Sequence, residues 1–128
     1  MKFTVGASNA AVHSLGRTFV SGNSGIHTVK IVLASDGLNV PGASVELSMT
    51  GGTAGQFRYA DLASPVTLQA NTSYFLVSQE QSGGDSWYDY GLISPTSLAV
   101  VNNAVCFDGT RWVLVGGANN SYVPLDFK

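Results

Sequence analysis

Apolar and polar residues alternate along this chain in short runs, which is the pattern of strands that bury one face. Residues 27–33 (HTVKIVL) place Val29, Ile31 and Leu33 on one face, and residues 45–49 (VELSM) repeat the pattern. No window combines apolar residues at helical spacing with helix-capping signals and freedom from glycine. The pattern therefore predicts strands throughout and no substantial helix.

Turn signals divide the chain into about eight to ten strands. Gly16 lies inside the first of them and predicts a bulge or a close backbone approach. Asp108-Gly109 is the strongest hairpin signal. Pro124 cannot donate to a ladder, so the last strand is expected at an edge or with a bulge. The predicted strands span residues 11–20, 27–33, 45–49, 56–59, 65–70, 73–78, 98–107, 111–115 and 122–127.

The absence of crossover helices favours an all-β fold in which two antiparallel sheets pack face to face. A length of 128 residues fits one domain, so we expect a single antiparallel β-sandwich over residues 1–128. Only 11% of the residues are charged, well below the usual quarter. Hydroxyl and amide side chains must then cover most of the surface, which is typical of extracellular β proteins.

Charge and hydropathy exclude two classes of partner. The net charge is −2, and the six Lys and Arg residues are scattered, so no basic patch is available to neutralise nucleic-acid phosphates. No apolar stretch approaches the roughly 18–20 residues of a membrane span. The first residues also lack the apolar core of a signal peptide.

Cys106 lies in an apolar run, which predicts a buried thiol without a catalytic role.

Three stretches resemble a known class of domain: residues 15–37 (LGRTFVSGNSGIHTVKIVLASDG), 63–79 (ASPVTLQANTSYFLVSQ) and 121–127 (SYVPLDF). Together they are similar to bacterial β-sandwich accessory modules of secreted carbohydrate-active enzymes and adhesins. The resemblance covers most of the chain. It implies a jelly-roll-like fold, no catalysis, glycan binding with calcium in some cases, and an extracellular location within a larger multidomain protein.

Aromatic side chains are concentrated in residues 78–91 (SQEQSGGDSWYDYG). An aromatic ring in a polar loop can stack on the apolar face of a sugar while polar groups bind the hydroxyls. Trp112 and Tyr122 would join this site if the fold brings them near. The alternative is that these rings belong to the core. The candidate stacking residues are Trp87, Tyr88 and Tyr90.

The same loop carries three acids, Glu80, Asp85 and Asp89, for which two roles compete. They could accept hydrogen bonds from sugar hydroxyls, or bind calcium with help from Ser82 and Ser86. The spacing does not match an EF-hand. A solvated turn whose aspartates bond backbone amides is the structural alternative.

Catalysis is not expected. A glycosidase needs two carboxyl groups roughly 5–10 Å apart across a cleft, which three acids in one loop do not require. No serine lies in a nucleophile elbow, and His13 and His27 are expected to bond neighbours on or beside strands. The sequence thus predicts a non-catalytic carbohydrate-binding module that binds a polysaccharide or glycan. The alternative is a structural, adhesion or protein-interaction module without a small ligand.

Overall fold

The computed structural model describes residues 1–88, 91–93 and 97–128. These residues form eleven strands and no helix, which confirms the predicted all-β class. The strands are β1 (Lys2–Val5), β2 (Ala10–Thr18), β3 (Ile26–Leu33), β4 (Asn39–Ser48), β5 (Phe57–Leu68), β6 (Ser73–Ser78), β7 (Gly91–Leu92), β8 (Ala99–Phe107), β9 (Trp112–Val115), β10 (Asn120–Ser121) and β11 (Leu125–Phe127). Within the described ranges, no helix is present that could cross a membrane.

Two main sheets pack against each other, as the sequence predicts. The larger has the order β4-β3-β6-β1-β8-β9 and the smaller β11-β2-β5, while β7 and β10 form a short separate ladder. All pairings between these strands are antiparallel. Phe3, Val29 and Leu76 of the larger sheet share one core with Val12 and Leu15 of the smaller.

Local signals in the sequence are confirmed at several positions. Gly16 is a close approach, because a Cβ there would lie 2.6 Å from Cε1 of Tyr59. Gly109 has a φ of +96° in the turn between β8 and β9, which is the predicted hairpin. Pro124 directly precedes β11, and among the described strands β11 pairs only with β2, so Pro124 lies at a sheet edge.

Strand β1 is missing from the predicted strands, although Phe3 and Val5 are buried and alternate with half-buried neighbours. It is the central partner of β6 and β8 in the larger sheet. Four residues at the start of a chain give too short an alternation to distinguish from coil.

The expectation of a buried Cys106 is wrong: its thiol is exposed, because Cys106 lies near the end of β8, where the hairpin leads away from the core.

The larger sheet also buries apolar side chains on its outer face. Val32 lies opposite Phe75, and both are buried although neither belongs to the main core. Trp112 packs against Phe75 with 5.4 Å between ring centroids. This outer cluster explains why Val32 is buried on the face where alternation predicts solvent. It also brings the β8–β9 hairpin over the end of β6, where the candidate site lies.

Candidate functional site

The loop after β6, residues 79–88, is held against the turn before β3 by paired hydrogen bonds. Asn23 donates from Nδ2 to the carbonyl of Ser86 at 2.8 Å and accepts at Oδ1 from the Ser86 amide at 2.9 Å. The Asn23 amide therefore pairs with the backbone as a neighbouring strand would. Asn23 is buried, so the two segments are joined at a place shielded from water.

A buried ion pair fixes the start of the loop. The guanidinium of Arg17 on β2 is fully buried and binds Glu80 through two bonds, Nε to Oε1 at 2.8 Å and Nη2 to Oε2 at 2.9 Å. Ser78 donates its hydroxyl to Oε1 at 2.6 Å. The remaining guanidinium bonds go to the carbonyls of Thr18 and Ser86, each at 3.2 Å. Glu80 is thus engaged within the protein on both of its oxygens.

The carboxylate of Asp85 is similarly engaged. It accepts the backbone amides of Ser24 at 3.0 Å and Gly25 at 2.9 Å, and the Nε2 of His27 at 3.0 Å. Burial works against the charge of Asp85, but these hydrogen bonds outweigh it and hold the pKa of Asp85 below its usual range. Asp85 therefore joins the loop to the start of β3 as an anion.

His27 connects the two carboxylates. Its Nδ1 lies 3.0 Å from the carbonyl oxygen of Gln79 and 3.3 Å from Oε2 of Glu80, while its Nε2 faces Asp85. All of these partners are acceptors, and each is bonded only by a ring nitrogen that carries a proton. His27 thus lies between the two carboxylates, and Arg17 supplies the positive charge opposite Glu80.

A fall in pH should lower the stability of the fold by protonating Asp85. A pKa that folding lowers contributes stability above the ordinary carboxyl value, and this stability is lost as the pH falls through the folded value. We expect the free energy of unfolding, measured by urea titration, to fall as the pH drops below about 4. The Asp85→Asn variant should show a weaker decline over the same interval. An equal decline in both proteins would show that Asp85 does not contribute.

The predicted site residues fall into three groups. Glu80 and Asp85 bond to other residues of the protein, as in the alternative interpretation of this loop as a turn without a ligand. Trp87 and Tyr88 are exposed by 36% and 45%. Asp89 and Tyr90 lie outside the described residues. Within the part of the chain that the structure describes, no three His, Cys, Asp or Glu side chains are grouped to hold a metal ion, and a calcium site that includes Asp89 stays a prediction.

The fold brings Trp112 and Tyr122 to the same groove as Trp87. This open groove has a volume of about 980 Å³ and lies between loop 79–88, the β8–β9 hairpin and the segment before β11. Leu38 and Phe107 also line it, and both are more than half exposed. Four aromatic residues from three parts of the chain thus meet at one surface.

Packing fixes the position of Trp112 within the groove. Its ring lies 5.1 Å from that of Phe107 and 5.4 Å from that of Phe75. Gly37, with a φ of +74°, leaves room for the indole, because a Cβ there would lie 2.7 Å from Nε1. Trp112 is half-buried, so one part of the indole supports the outer cluster and the rest faces the groove.

Sequence reasoning missed the residues that hold the loop in place: Arg17, Asn23, Ser24 and Gly25. Residues 21–25 read as an ordinary turn, and Arg17 as one of several scattered cations. The only unusual signal is an arginine within a strand pattern, and this does not name its partner. The bonds that it makes join residues about sixty positions apart in sequence, for which local pattern carries no information.

The chain matches no protein-family model, and neither the curated proteins nor the solved structures contain a significant match. Any argument about the function of this chain therefore depends on its fold and on the groove. The described residues form an antiparallel β-sandwich with an aromatic groove and an internally bonded polar loop.

Proposed function

We propose that this chain is a non-catalytic carbohydrate-binding module whose glycan lies in the aromatic groove. The observation that carries the proposal is the meeting of Trp87, Trp112 and Tyr122 in one open groove. An aromatic ring offers a rigid apolar surface to the C–H face of a sugar, and the indole N–H and phenol O–H add polar contacts. A groove of about 980 Å³ has room for more than one sugar residue.

The polar cluster supports this function indirectly. Glu80 and Asp85 bond Arg17, His27 and backbone amides, so their part is to hold the loop that carries Trp87. A loop that is fixed before the ligand arrives loses less conformational entropy on binding. In this proposal the chain acts as one module of a larger extracellular bacterial protein, which the low charge content supports.

The first test is binding of the purified domain to a panel of soluble and insoluble polysaccharides, with calcium or with EDTA. We expect Trp87→Ala to abolish binding while the domain stays folded, because Trp87 lies outside the main hydrophobic core and exposes 36% of its surface. Affinity electrophoresis and pull-down measure the binding, and thermal unfolding by circular dichroism measures the fold.

The matched control is Phe57→Ala. Phe57 is an aromatic residue of the smaller sheet with 37% exposure, and it is not among the residues that line the groove. Binding should survive this substitution. Binding that Trp87→Ala and Phe57→Ala leave equally intact would contradict a site at Trp87. Loss of binding in EDTA, restored by calcium, would show that an ion takes part.

An adhesion or protein-interaction module is the second candidate. Leu38 and Phe107 expose 65% and 53% of their surface beside the groove, and aromatic and apolar side chains at a concave surface also suit a protein partner. A folded domain that binds no member of the panel would favour this function.

A further inference from the structure

The charge of the groove indicates which class of glycan it takes, provided that the proposed function is right. Among the described residues that line it, the charged side chains are Glu80 and Lys30. Glu80 is neutralised by its bidentate pair with the fully buried Arg17. The positive charge of Lys30 therefore dominates the lining.

Lys30 has no hydrogen-bonding or ion-pair partner among the described residues. It lies on β3, opposite Val77 of β6 and on the same face as the outer cluster. The side chain is half-buried. The neighbouring acid on β4, Glu46, accepts the hydroxyl of Thr28 at 2.6 Å. A half-buried ammonium without a counter-ion gains most from a ligand that carries a negative charge.

A second lysine lies on the same face. Lys2 of β1 is opposite Phe75, which shares this face with Val77 two residues further along β6. It too has no ion-pair partner among the described residues. Strands β1 and β3 flank β6, so the two lysines lie on either side of the strand over which Trp112 packs, roughly 10 Å apart across the sheet. Cations thus flank an aromatic surface on both sides.

We propose that the groove binds an acidic polysaccharide whose uronate carboxylates bond Lys30 while its sugar rings stack on the tryptophans. The ammonium donates charge-assisted hydrogen bonds, which are shorter and stronger than bonds between neutral groups. A neutral polysaccharide can use the same rings but leaves Lys30 without an anion. Lys30 is therefore the residue that selects for charge, and Lys2 contributes where a second carboxylate reaches β1.

The test compares polygalacturonate with its methyl ester, which keeps the same sugar chain without the charge, by isothermal titration calorimetry or affinity electrophoresis. We expect the wild-type domain to bind polygalacturonate about tenfold or more tightly than the methyl ester at low salt, and the difference to shrink as salt screens the ion pair. Lys30→Gln should remove this preference without changing the affinity for the methyl ester. Lys30→Arg should retain most of it, because the guanidinium keeps the charge.

Lys128→Gln is the matched control. The ammonium of Lys128 lies 3.8 Å from the ring centroid of Tyr59 on the smaller sheet, and Lys128 is not among the residues that line the groove. This variant should bind both polysaccharides as the wild type does. Equal loss in Lys128→Gln and Lys30→Gln would show that only net charge matters, and would overturn the inference.

The outcomes separate this inference from the proposed function. Equal binding of both polysaccharides, unchanged by Lys30→Gln, would overturn the preference for acidic glycans and leave the carbohydrate-binding function standing. Binding of the methyl ester alone would also overturn this preference and leave the carbohydrate-binding function standing. If the folded domain binds neither these two nor any other polysaccharide of the panel, the proposed function fails and this inference fails with it.

Discussion

Replacing Arg17 with Met should lower the free energy of unfolding by about 3–5 kcal/mol, because the substitution leaves an uncompensated carboxylate in a largely buried position. Arg17 is fully buried, and it makes two of the bonds to Glu80 and two more to backbone carbonyls. Methionine fills much of the same volume, so the loss measures the ion pair more than a cavity. Urea titration followed by circular dichroism gives the free energy.

Two further variants separate the ion pair from general damage. The double variant Arg17→Met with Glu80→Gln should be more stable than Arg17→Met alone, because it no longer encloses an unpaired charge. Arg111→Met removes a cation from an exposed pair with Asp108 and should change the free energy of unfolding by less than about 1 kcal/mol. An effect of Arg17→Met as small as that of Arg111→Met would show that the buried pair does not stabilise the fold.

The ion pair also bears on binding. Glu80 begins the loop that carries Trp87, and Arg17 holds this loop through both Glu80 and the Ser86 carbonyl. Loss of these bonds should weaken the proposed glycan binding even under conditions where the domain stays folded and Trp87 is intact. The effect on affinity would arise from the entropy of ordering a released loop.

The β-sandwich could be predicted from the sequence because the residue patterns that indicate its strands and turns are local. Val45, Leu47 and Met49 alternate with polar residues and are all buried, as a period of two requires. Gly109 likewise marks the β8–β9 hairpin through its own backbone conformation. Such features depend on residues within about five positions of each other, and the pattern contains all of them.

The candidate site could be predicted only in part, because its contacts join residues that are distant in sequence. The sequence identifies an acidic and aromatic loop but cannot show that Glu80 and Asp85 bond residues about sixty positions earlier. Composition alone makes such acids equally suitable for a ligand, a metal or a structural bond. Phe75 illustrates the same limit, because the indole that packs against it belongs to Trp112 on β9, more than thirty positions later in the sequence.

Replacing His27 with Ala should lower the free energy of unfolding by about 2–3 kcal/mol, because it removes a buried ring that bonds acceptors on both of its sides. His27 is buried, and its ring lies between the carbonyl of Gln79 and the carboxylate of Asp85. Without the ring these buried oxygens lose hydrogen-bonding partners. The loop should separate from β3 at this point. Urea titration at neutral pH measures the loss.

His13→Ala is the control, because His13 is an exposed residue of β2 and its substitution should change the free energy of unfolding by less than about 0.5 kcal/mol. His27→Gln should not restore the wild-type value, since a planar amide cannot reach the Gln79 carbonyl and Asp85 on the two opposite sides that the ring spans. A loss of stability in His27→Ala no larger than that in His13→Ala would show that the ring does not hold the loop against β3.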